Sequence, residues 1–283
     1  MKDIYKYIAE QMPNMSKANV KIAKYILANP NTVPFLTADK LAKITEVSHA
    51  TVVRFATFLG YKGYPELQQY MQNSAQQQLT TTERLKISKE VYNDEDQGVY
   101  DIFLDDISNI QSTFERLDMD MFKHAVDNLI QSKRVYIVAN RSATALGVFL
   151  QYYLQFLLDE VELIHSIETV SERLYDLNKN DVVIGISFAR YTKSTIQVLE
   201  YGKEREATTI AITDNLLSPL IPYADIPLTA SSQMPTFIDS FVAPLSLINA
   251  LIISVGKEKE ENFQCKLEAL EEIWEKFDIF YKK

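Results

Sequence analysis

Residues 36–64 carry a dense set of polar side chains suited to contacts with nucleic acid. The guanidinium of Arg54 can pair bidentately with guanine, a contact that contributes about 1–3 kcal/mol of discrimination against other bases. The hydroxyl and ammonium groups around it are suited to phosphate oxygens. The residues predicted to contact DNA are Thr37, Lys40, Lys43, Ser48, His49, Thr51, Arg54, Thr57 and Lys62.

Two short helices must position these side chains. Thr37 and Ser48 are good N-cap residues, and Gly60 is a fitting helix stop, so helices are predicted after each cap. Apolar residues such as Val52 and Phe55 fall on the inner face of the second helix, which leaves its N-terminal half polar and outward. This arrangement predicts a helix-turn-helix unit that presents its second helix to the major groove. The alternative is an ordinary helical hairpin whose polar face meets only water.

Charge is unevenly distributed along the chain. Residues 1–80 hold nine basic and five acidic groups, whereas the rest of the chain carries a net charge of −13 within a total of −9. A basic segment on an acidic body is typical of a chain whose basic part meets nucleic acid.

Composition excludes several classes of site and protein. The chain has only seven glycines, and none forms a dinucleotide-binding or Walker phosphate loop. The single cysteine, Cys265, excludes a disulfide framework and suits a reducing compartment. The longest apolar stretch, 241–255, is too short and too polar to span a bilayer, and no leader opens the chain. We therefore expect a cytoplasmic protein with no membrane association, no metal and no cofactor.

Changes in composition and in hydrophobic periodicity divide the chain into three segments. Residues 1–78 are predicted to form the helix-turn-helix domain, 79–131 a helical connector and the start of the next domain, and 132–283 an α/β domain for effector binding and oligomerisation. The polar stretch 72–82 indicates a linker or a frayed helix end. A turn is predicted at 93–96. Predicted helices cover Thr82–Glu90, Tyr100–Gln131, Thr144–Leu158, Thr192–Glu206, Ser240–Val255 and Asn262–Tyr281.

Short β-branched runs alternate with the later helices. Such runs predict strands of a parallel sheet sandwiched between helices. The predicted strands are Val135–Ala139, Val161–His165, Asp181–Ser187, Thr208–Thr213 and Ile226–Thr229. The fold class expected is an all-α helix-turn-helix domain followed by an α/β domain.

The N-terminal segment resembles a known family. Ser16–Pro30 and VSHATVVRFATFLGYKGYPEL (Val47–Leu67) are similar to the N-terminal domain of the RpiR/MurR family of bacterial transcriptional regulators. In that family a sugar isomerase (SIS) domain follows. One departure lies in the turn, where Glu46 stands at a position commonly filled by glycine.

The second half resembles an SIS domain along Asp181–Asp225. The loop that the family writes S-x-S-G-x-T is here Ser187 to Thr192, between a strand and a helix N-terminus where a phosphate can settle. The resemblance implies that Ser187, Thr192 and Thr195 hold an effector. The full predicted effector set is Asn140, Arg141, Ser142, Ser187, Arg190, Thr192 and Thr195.

Glycines of the family are missing from the predicted pocket. Arg190 replaces the loop glycine, residues 139–143 lack both glycines of the first strand's loop, and Glu206 fills another glycine position. One interpretation is that Arg141 and Arg190 supply guanidinium groups in place of backbone donors. The other is that the pocket has decayed and the domain only oligomerises.

The function predicted is a bacterial transcriptional regulator, not an enzyme. It would bind double-stranded operator DNA as a homodimer or homotetramer and would respond to a phosphosugar-like effector by controlling sugar or amino-sugar genes. The alternative is a sugar-phosphate isomerase, which needs a general base. Only His165 with Glu168 could be imagined in that role, so no catalytic residue is predicted.

Overall fold

The computed structural model describes residues 4–76, 79–92, 95–164 and 167–281. Two compact units are present: Met1–Leu104 with Met234–Ile238, and Asp105–Gln233 with Asp239–Lys283. The His165 suggested above as a base lies outside the described residues, as do positions 93 and 94 of the predicted turn. The turn prediction is wrong at Glu95 and Asp96, which form the start of a helix.

The first unit is helical. Its helices are α1 (Ile4–Gln11), α2 (Lys17–Ala28), α3 (Ala38–Ile44), α4 (His49–Phe58), α5 (Tyr64–Gln76) and α6 (Thr81–Val91). The predicted caps are confirmed, because Thr37 Oγ1 accepts from the N–H of Lys40 and Ser48 Oγ accepts from the N–H of Thr51, both at 3.2 Å. The polar stretch predicted as a linker or frayed helix end is helical up to Gln76.

Aliphatic and aromatic side chains fill the core of the first unit. Ile8, Ile22, Leu41 and Phe55 are fully buried there. Among the described residues of this interior, Gln72 is 4% exposed and its Oε1 has no hydrogen-bond partner.

The segment Met234–Ile238 belongs to the first unit through a buried cation. Arg84 is 4% exposed and donates from Nε to the carbonyl of Thr236 at 2.8 Å and from Nη2 to that of Ile238 at 2.9 Å. These bonds supply acceptors to a charge that burial would otherwise make costly.

Two helices stand where one was predicted. The prediction of a single helix over Tyr100–Gln131 is wrong, because α7 (Glu95–Arg116) ends before α8 (Met119–Gln131) begins. Asp118 caps α8 by accepting from the N–H groups of Asp120 and Met121, both at 3.0 Å. That cap competes with a continuous helix at this point.

The second unit is built on a five-stranded parallel sheet, as predicted. Its order is β2-β1-β3-β4-β5, with all neighbours parallel. The strands are β1 (Arg134–Ala139), β2 (Val161–Ile164), β3 (Asp181–Ile186), β4 (Thr208–Thr213) and β5 (Ile226–Thr229).

Helices cover both faces of the sheet, which is why its strands are nearly continuous apolar runs. They are α8, α9 (Thr144–Leu157), α10 (Ile167–Leu174), α11 (Lys193–Glu204) and α12 (Val242–Glu258). A further helix, α13 (Glu260–Lys276), packs against α9 and α12. Alternate residues of each strand point to opposite faces of the sheet. Ile137 and Ile184 pack with α8, α9 and α12 on one face, whereas Val138 and Val183 pack with α10 and α11 on the other.

Gly147 lets α9 approach the sheet closely. A Cβ at this position would lie 2.8 Å from the Cβ of Ala139 and 2.8 Å from Cδ1 of Leu163. Helix α9 follows directly after the loop at the end of β1, so this contact also fixes where that loop leaves the sheet.

Candidate functional site

The turn between α3 and α4 is set by backbone hydrogen bonds. Glu46 has φ +53°, its N–H donates to the carbonyl of Lys43 at 3.3 Å, and the next N–H, of Val47, donates to the carbonyl of Ala42 at 2.9 Å. This is a Schellman motif, which favours glycine at its left-handed residue. The glycine-like conformation is therefore present although the residue is glutamate.

The outer face of α4 is polar. Ser48, His49, Arg54 and Thr57 are exposed, whereas Phe55 on the opposite face is buried. Four of the polar groups predicted to contact DNA thus lie together on the predicted recognition helix.

Several of these groups make local hydrogen bonds. The hydroxyls of Ser48 and Thr51 lie 2.8 Å apart, and Arg54 Nη2 donates to Thr51 Oγ1 at 3.4 Å. Thr57 donates to the carbonyl of Val53 at 2.9 Å, so its hydroxyl hydrogen is bound within the helix. These weak local contacts leave the exposed Arg54 fork close to the helix start, where base edges are read.

The predicted lysines are not equivalent. Lys43 and Lys62 are exposed, but Lys40 is half-buried, with its Nζ in an ion pair with Asp101 and 2.9 Å from the carbonyl of Val91. The Lys40 ammonium is therefore bound to its own chain and does not lie with the exposed groups that are predicted to contact DNA. Thr37 lies at the start of α3, where its side chain serves as the helix cap.

The predicted effector residues follow two neighbouring strands. Strand β1 pairs with β3 in a register that sets Ala139 beside Ile186, so the loops that leave these two strands begin side by side. Asn140 Nδ2 donates to Thr195 Oγ1 at 3.0 Å, which joins the first loop to the start of α11. Thr192 N–H donates to Ser187 Oγ at 3.3 Å.

Burial separates the predicted effector residues into two groups. Ser187 and Thr195 are buried and serve the internal bonds, whereas Arg141, Ser142 and Arg190 are exposed. The groups that a solute would meet first are thus the two arginines and one hydroxyl.

Arg141 and Arg190 are also among the few non-glycine residues with a left-handed backbone conformation. In the described parts of the chain, five non-glycine residues have a positive φ between +48° and +65°. They are Glu46, Arg141, Arg190, Glu206 and Asp278. A left-handed conformation costs a residue with a side chain about 1–2 kcal/mol.

Three of these five residues have an ordinary explanation. Glu206 and Asp278, like Glu46, end helices with the paired hydrogen bonds of a Schellman motif, such as Ala207 N–H to Gly202 O at 3.0 Å. Arg141 and Arg190 end no helix; each follows a parallel strand. Strain that no helix end explains is characteristic of binding sites.

A buried carboxyl lies at the end of the next strand. Asp214 follows β4 and accepts a hydrogen bond from the Tyr191 hydroxyl at 2.7 Å. Burial raises the pKa of Asp214, and burial beside this carboxyl raises the pKa of Tyr191. Asp214 stands in the SIS-like Ile212–Asp214 piece, yet the sequence prediction did not include it or Tyr191, because the β3–β4 pairing that joins them was not known.

The site has the chemistry of an anion receptor. Two guanidinium groups, an amide and hydroxyls border the strand ends, and the N-terminus of α11 adds partial positive charge. Within the described ranges, no group of three or more His, Cys, Asp or Glu side chains could hold a metal ion. None of the helices in those ranges has both the length and the hydropathy that crossing a membrane requires.

Comparisons with known proteins match both halves. Residues 2–78 match the family model for the helix-turn-helix domain of the rpiR family, and residues 128–254 match the SIS domain. An uncharacterised HTH-type transcriptional regulator of Caldanaerobacter subterraneus is 29% identical over 96% of this chain and 97% of its own length. The HTH-type transcriptional regulator HexR of Pseudomonas aeruginosa is 25% identical over 96% and 95%.

Solved structures show the same fold. The sugar isomerase domain of an RpiR transcription factor from Sphaerobacter thermophilus superposes with a TM-score of 0.59 at 25% identity, covering 61% of this chain and 97% of that one. The Vibrio vulnificus NanR protein, complexed with ManNAc-6P, has a TM-score of 0.57 at 20% identity over 99% and 100%. The latter likeness concerns the fold alone.

Both halves and the order in which they occur agree with one family of DNA-binding proteins. The expectation of a regulator rather than an isomerase is confirmed by the named relatives. The chain belongs to the RpiR family of helix-turn-helix transcriptional regulators with a C-terminal SIS domain.

Proposed function

We propose that this regulator acts in the cytoplasm as a homodimer that binds a two-fold operator and responds to a phosphosugar-like effector. In this proposal residues 1–78 read DNA, 132–283 bind the effector and oligomerise, and 79–131 connect them. The regulated genes would be those of sugar or amino-sugar metabolism.

The observation that carries the effector proposal is the pair of strained arginines. Arg141 and Arg190 hold left-handed conformations after adjacent strands and are exposed. A guanidinium is always charged and binds phosphate or carboxylate through a planar fork. The free energy gained from such bidentate hydrogen bonds to a ligand would offset the cost of the left-handed backbone conformation. Asn140 and Ser142 would then meet the hydroxyls of the same ligand.

Sugar phosphates are the first class to test. They combine a dianion with hydroxyls, as the site requires, and ManNAc-6P is bound by the structurally similar NanR. Isothermal titration of the full chain with a panel of sugar phosphates should give saturable heat for at least one, and Arg190→Ala should weaken it tenfold or more. If no compound gives heat, the SIS domain serves only to oligomerise the chain.

The DNA proposal assigns different tasks to two exposed cations. Arg54 would read guanine, so Arg54→Ala should weaken specific binding roughly 5- to 150-fold while changing non-specific binding little. Lys62 would contact phosphate, so Lys62→Ala should weaken both about equally and reduce the salt slope by about one.

Fluorescence anisotropy can test both assignments with DNA taken from upstream of the chain's own gene. An Arg54→Ala variant that loses specific and non-specific affinity equally would show that Arg54 contacts only the backbone. If no fragment shows a rise in anisotropy at low salt, the operator proposal is refuted. Repeating the titration with the bound sugar phosphate would show whether the ligand changes DNA affinity, as it must if it favours one arrangement of the protein.

A further inference from the structure

Helix α2 presents three lysines to solvent on one side. They stand at positions 17, 21 and 24, which are four and three residues apart and therefore share one face of a helix. All three are exposed, whereas Ile22, Ala23 and Ile26 on the opposite side are fully buried in the core of the first unit. We call this set the α2 lysine face: Lys17, Lys21 and Lys24.

No carboxylate accompanies these lysines on their own segment. Between Glu10 and Asp39 the sequence contains no aspartate or glutamate, although acidic residues outnumber basic ones in the whole chain, 38 to 29. In the part of the chain that the structure describes, neither Lys17 nor Lys24 forms an ion pair. A helix face that only meets water typically alternates charges of both signs, whereas lysines clustered on one face are typical of contact with nucleic acid.

The α2 lysine face lies beside the turn of the helix-turn-helix unit. Lys21 Nζ is 3.4 Å from Glu46 Oε2, and Glu46 comes two residues before Ser48, the cap of the predicted recognition helix α4. The first helix of such a unit crosses the DNA backbone and the second enters the groove, so the turn between them lies close to phosphates. Lys17 and Lys24 flank Lys21 by about 6 and 4.5 Å along the helix axis.

The contact with Lys21 also explains how a carboxylate is accommodated at this turn. The Glu46 side chain is 83% exposed and would by itself repel DNA phosphates. Its pair with Lys21 leaves no net charge at that point, and Lys17 and Lys24 add a positive charge on either side of it. The α2 lysine face therefore offsets one acidic group and makes the surface around the turn positive.

We propose that the α2 lysine face is a second DNA-contacting surface, which binds phosphates next to the groove that α4 reads. The proposal rests on the proposed DNA binding of this chain, but not on the proposed effector or homodimer. It adds a helix to the predicted contacts, which all lie between residues 37 and 62. Because phosphates carry no sequence information, this surface contributes equally to specific and non-specific binding.

The salt dependence of DNA binding tests this surface. The full-length wild type and the double variant Lys17→Gln/Lys24→Gln are titrated against a DNA duplex of random sequence by fluorescence anisotropy. Each phosphate contact contributes about 0.9 to the slope of log K against log salt, so the double variant should have a slope shallower by about 1.8. Between about 50 and 200 mM salt, the wild type should then lose about 12-fold more affinity than the variant.

A variant with the same loss of charge elsewhere in the first unit is the matched control. Lys86 and Lys89 are exposed on α6 and lie three residues apart, so Lys86→Gln/Lys89→Gln removes two charges without altering the α2 lysine face. Its slope should stay within about 0.3 of that of the wild type. Circular dichroism checks that each variant is folded.

The possible failures are distinguishable. A slope that is unchanged in Lys17→Gln/Lys24→Gln, or that falls equally in the control, overturns the α2 assignment but leaves the proposed DNA binding. A wild-type chain that binds neither this duplex nor the DNA upstream of its gene overturns both.

Chemical modification of the wild type gives a second readout that needs no variant. Acetylation by an N-hydroxysuccinimide ester, followed by peptide mass spectrometry, measures the reactivity of each lysine with and without the duplex. Because a bound phosphate covers the amine, DNA should slow the acetylation of Lys17 and Lys24 about fivefold or more and that of Lys86 and Lys89 less than about twofold. Equal protection of all four lysines, or of none, refutes the assignment.

Discussion

Replacing Arg190 with glycine should make the protein more stable and less able to bind its effector. Arg190 has φ +65° without closing a helix, a conformation that costs about 1–2 kcal/mol with a side chain and nothing steric for glycine. Glycine in turn loses about 0.5–1 kcal/mol through the greater freedom of the unfolded chain. The two terms leave a gain of about 0–1.5 kcal/mol, or about 0–6 °C in Tm, from which the contribution of the other contacts of the Arg190 side chain is subtracted.

Three variants separate the effect of the backbone strain from the effect of the guanidinium group. Arg190→Gly removes both the strain and the guanidinium; Arg190→Ala removes only the guanidinium, since alanine keeps a Cβ. Glu206→Gly relieves the same strain at φ +60° in a helix-ending turn outside the predicted effector set. Both glycine variants should raise Tm, and both Arg190 variants should lose sugar-phosphate affinity.

Differential scanning calorimetry measures the stability, and titration calorimetry the binding. Because two compact units need not unfold together, the transition of the second unit is the one to compare. A lower Tm in Arg190→Gly with a higher Tm in Glu206→Gly would show that the Arg190 side chain stabilises the fold by more than its strain costs. Unchanged effector affinity in Arg190→Gly would refute the binding role.

Further predictions concern packing and ionisation. Gly147→Ala should destabilise the second unit by about 1–3 kcal/mol, because its Cβ would meet Ala139 at 2.8 Å; thermal unfolding measures this. Gln72→Met should raise the free energy of unfolding by about 1 kcal/mol by removing an unbonded buried amide oxygen, as denaturant titration would report. Burial raises the pKa of Asp214 in the folded chain. The contribution of this carboxyl to stability is therefore greatest below the ordinary carboxyl pKa and is lost as the pH rises through the raised pKa. Asp214→Asn should remove this pH-dependent loss of stability, as denaturant titrations at several pH values would report.

Each of these outcomes has a direct control. Gly256→Ala is the partner for Gly147→Ala, because its Cβ would meet atoms no closer than 3.6 Å, so equal losses would contradict the steric argument. A Gln72→Met variant that unfolds more easily would show that the amide makes a compensating contact. Identical pH profiles for wild type and Asp214→Asn would show that the carboxyl titrates as it does in the unfolded chain.

The strands of the sheet could be predicted because each strand is recognisable from residues that are neighbours in the sequence. Each strand is a short β-branched run bounded by turns, and the five predicted runs correspond to β1–β5. Helix α10 was missed because its eight residues are fewer than the 11–18 over which helical periodicity is recognised. The boundary between α7 and α8 was missed because helical periodicity continues across Asp118.

Contacts between distant residues could not be predicted. Lys40 reads as a free cation in the sequence, but its partner Asp101 lies 61 residues away. Tyr191 and Asp214 meet only because β3 pairs with β4.

The position of Arg84 has a consequence for synthesis. Its carbonyl acceptors lie more than 150 residues later in the chain, after the last strand of the sheet. At roughly 5–20 residues per second, a ribosome needs about 7–27 s to proceed from Leu104 to Ile238. The first unit is therefore complete only after residues 234–238 have been synthesised, and a fragment ending at residue 104 would lack the two carbonyls that accept hydrogen bonds from Arg84.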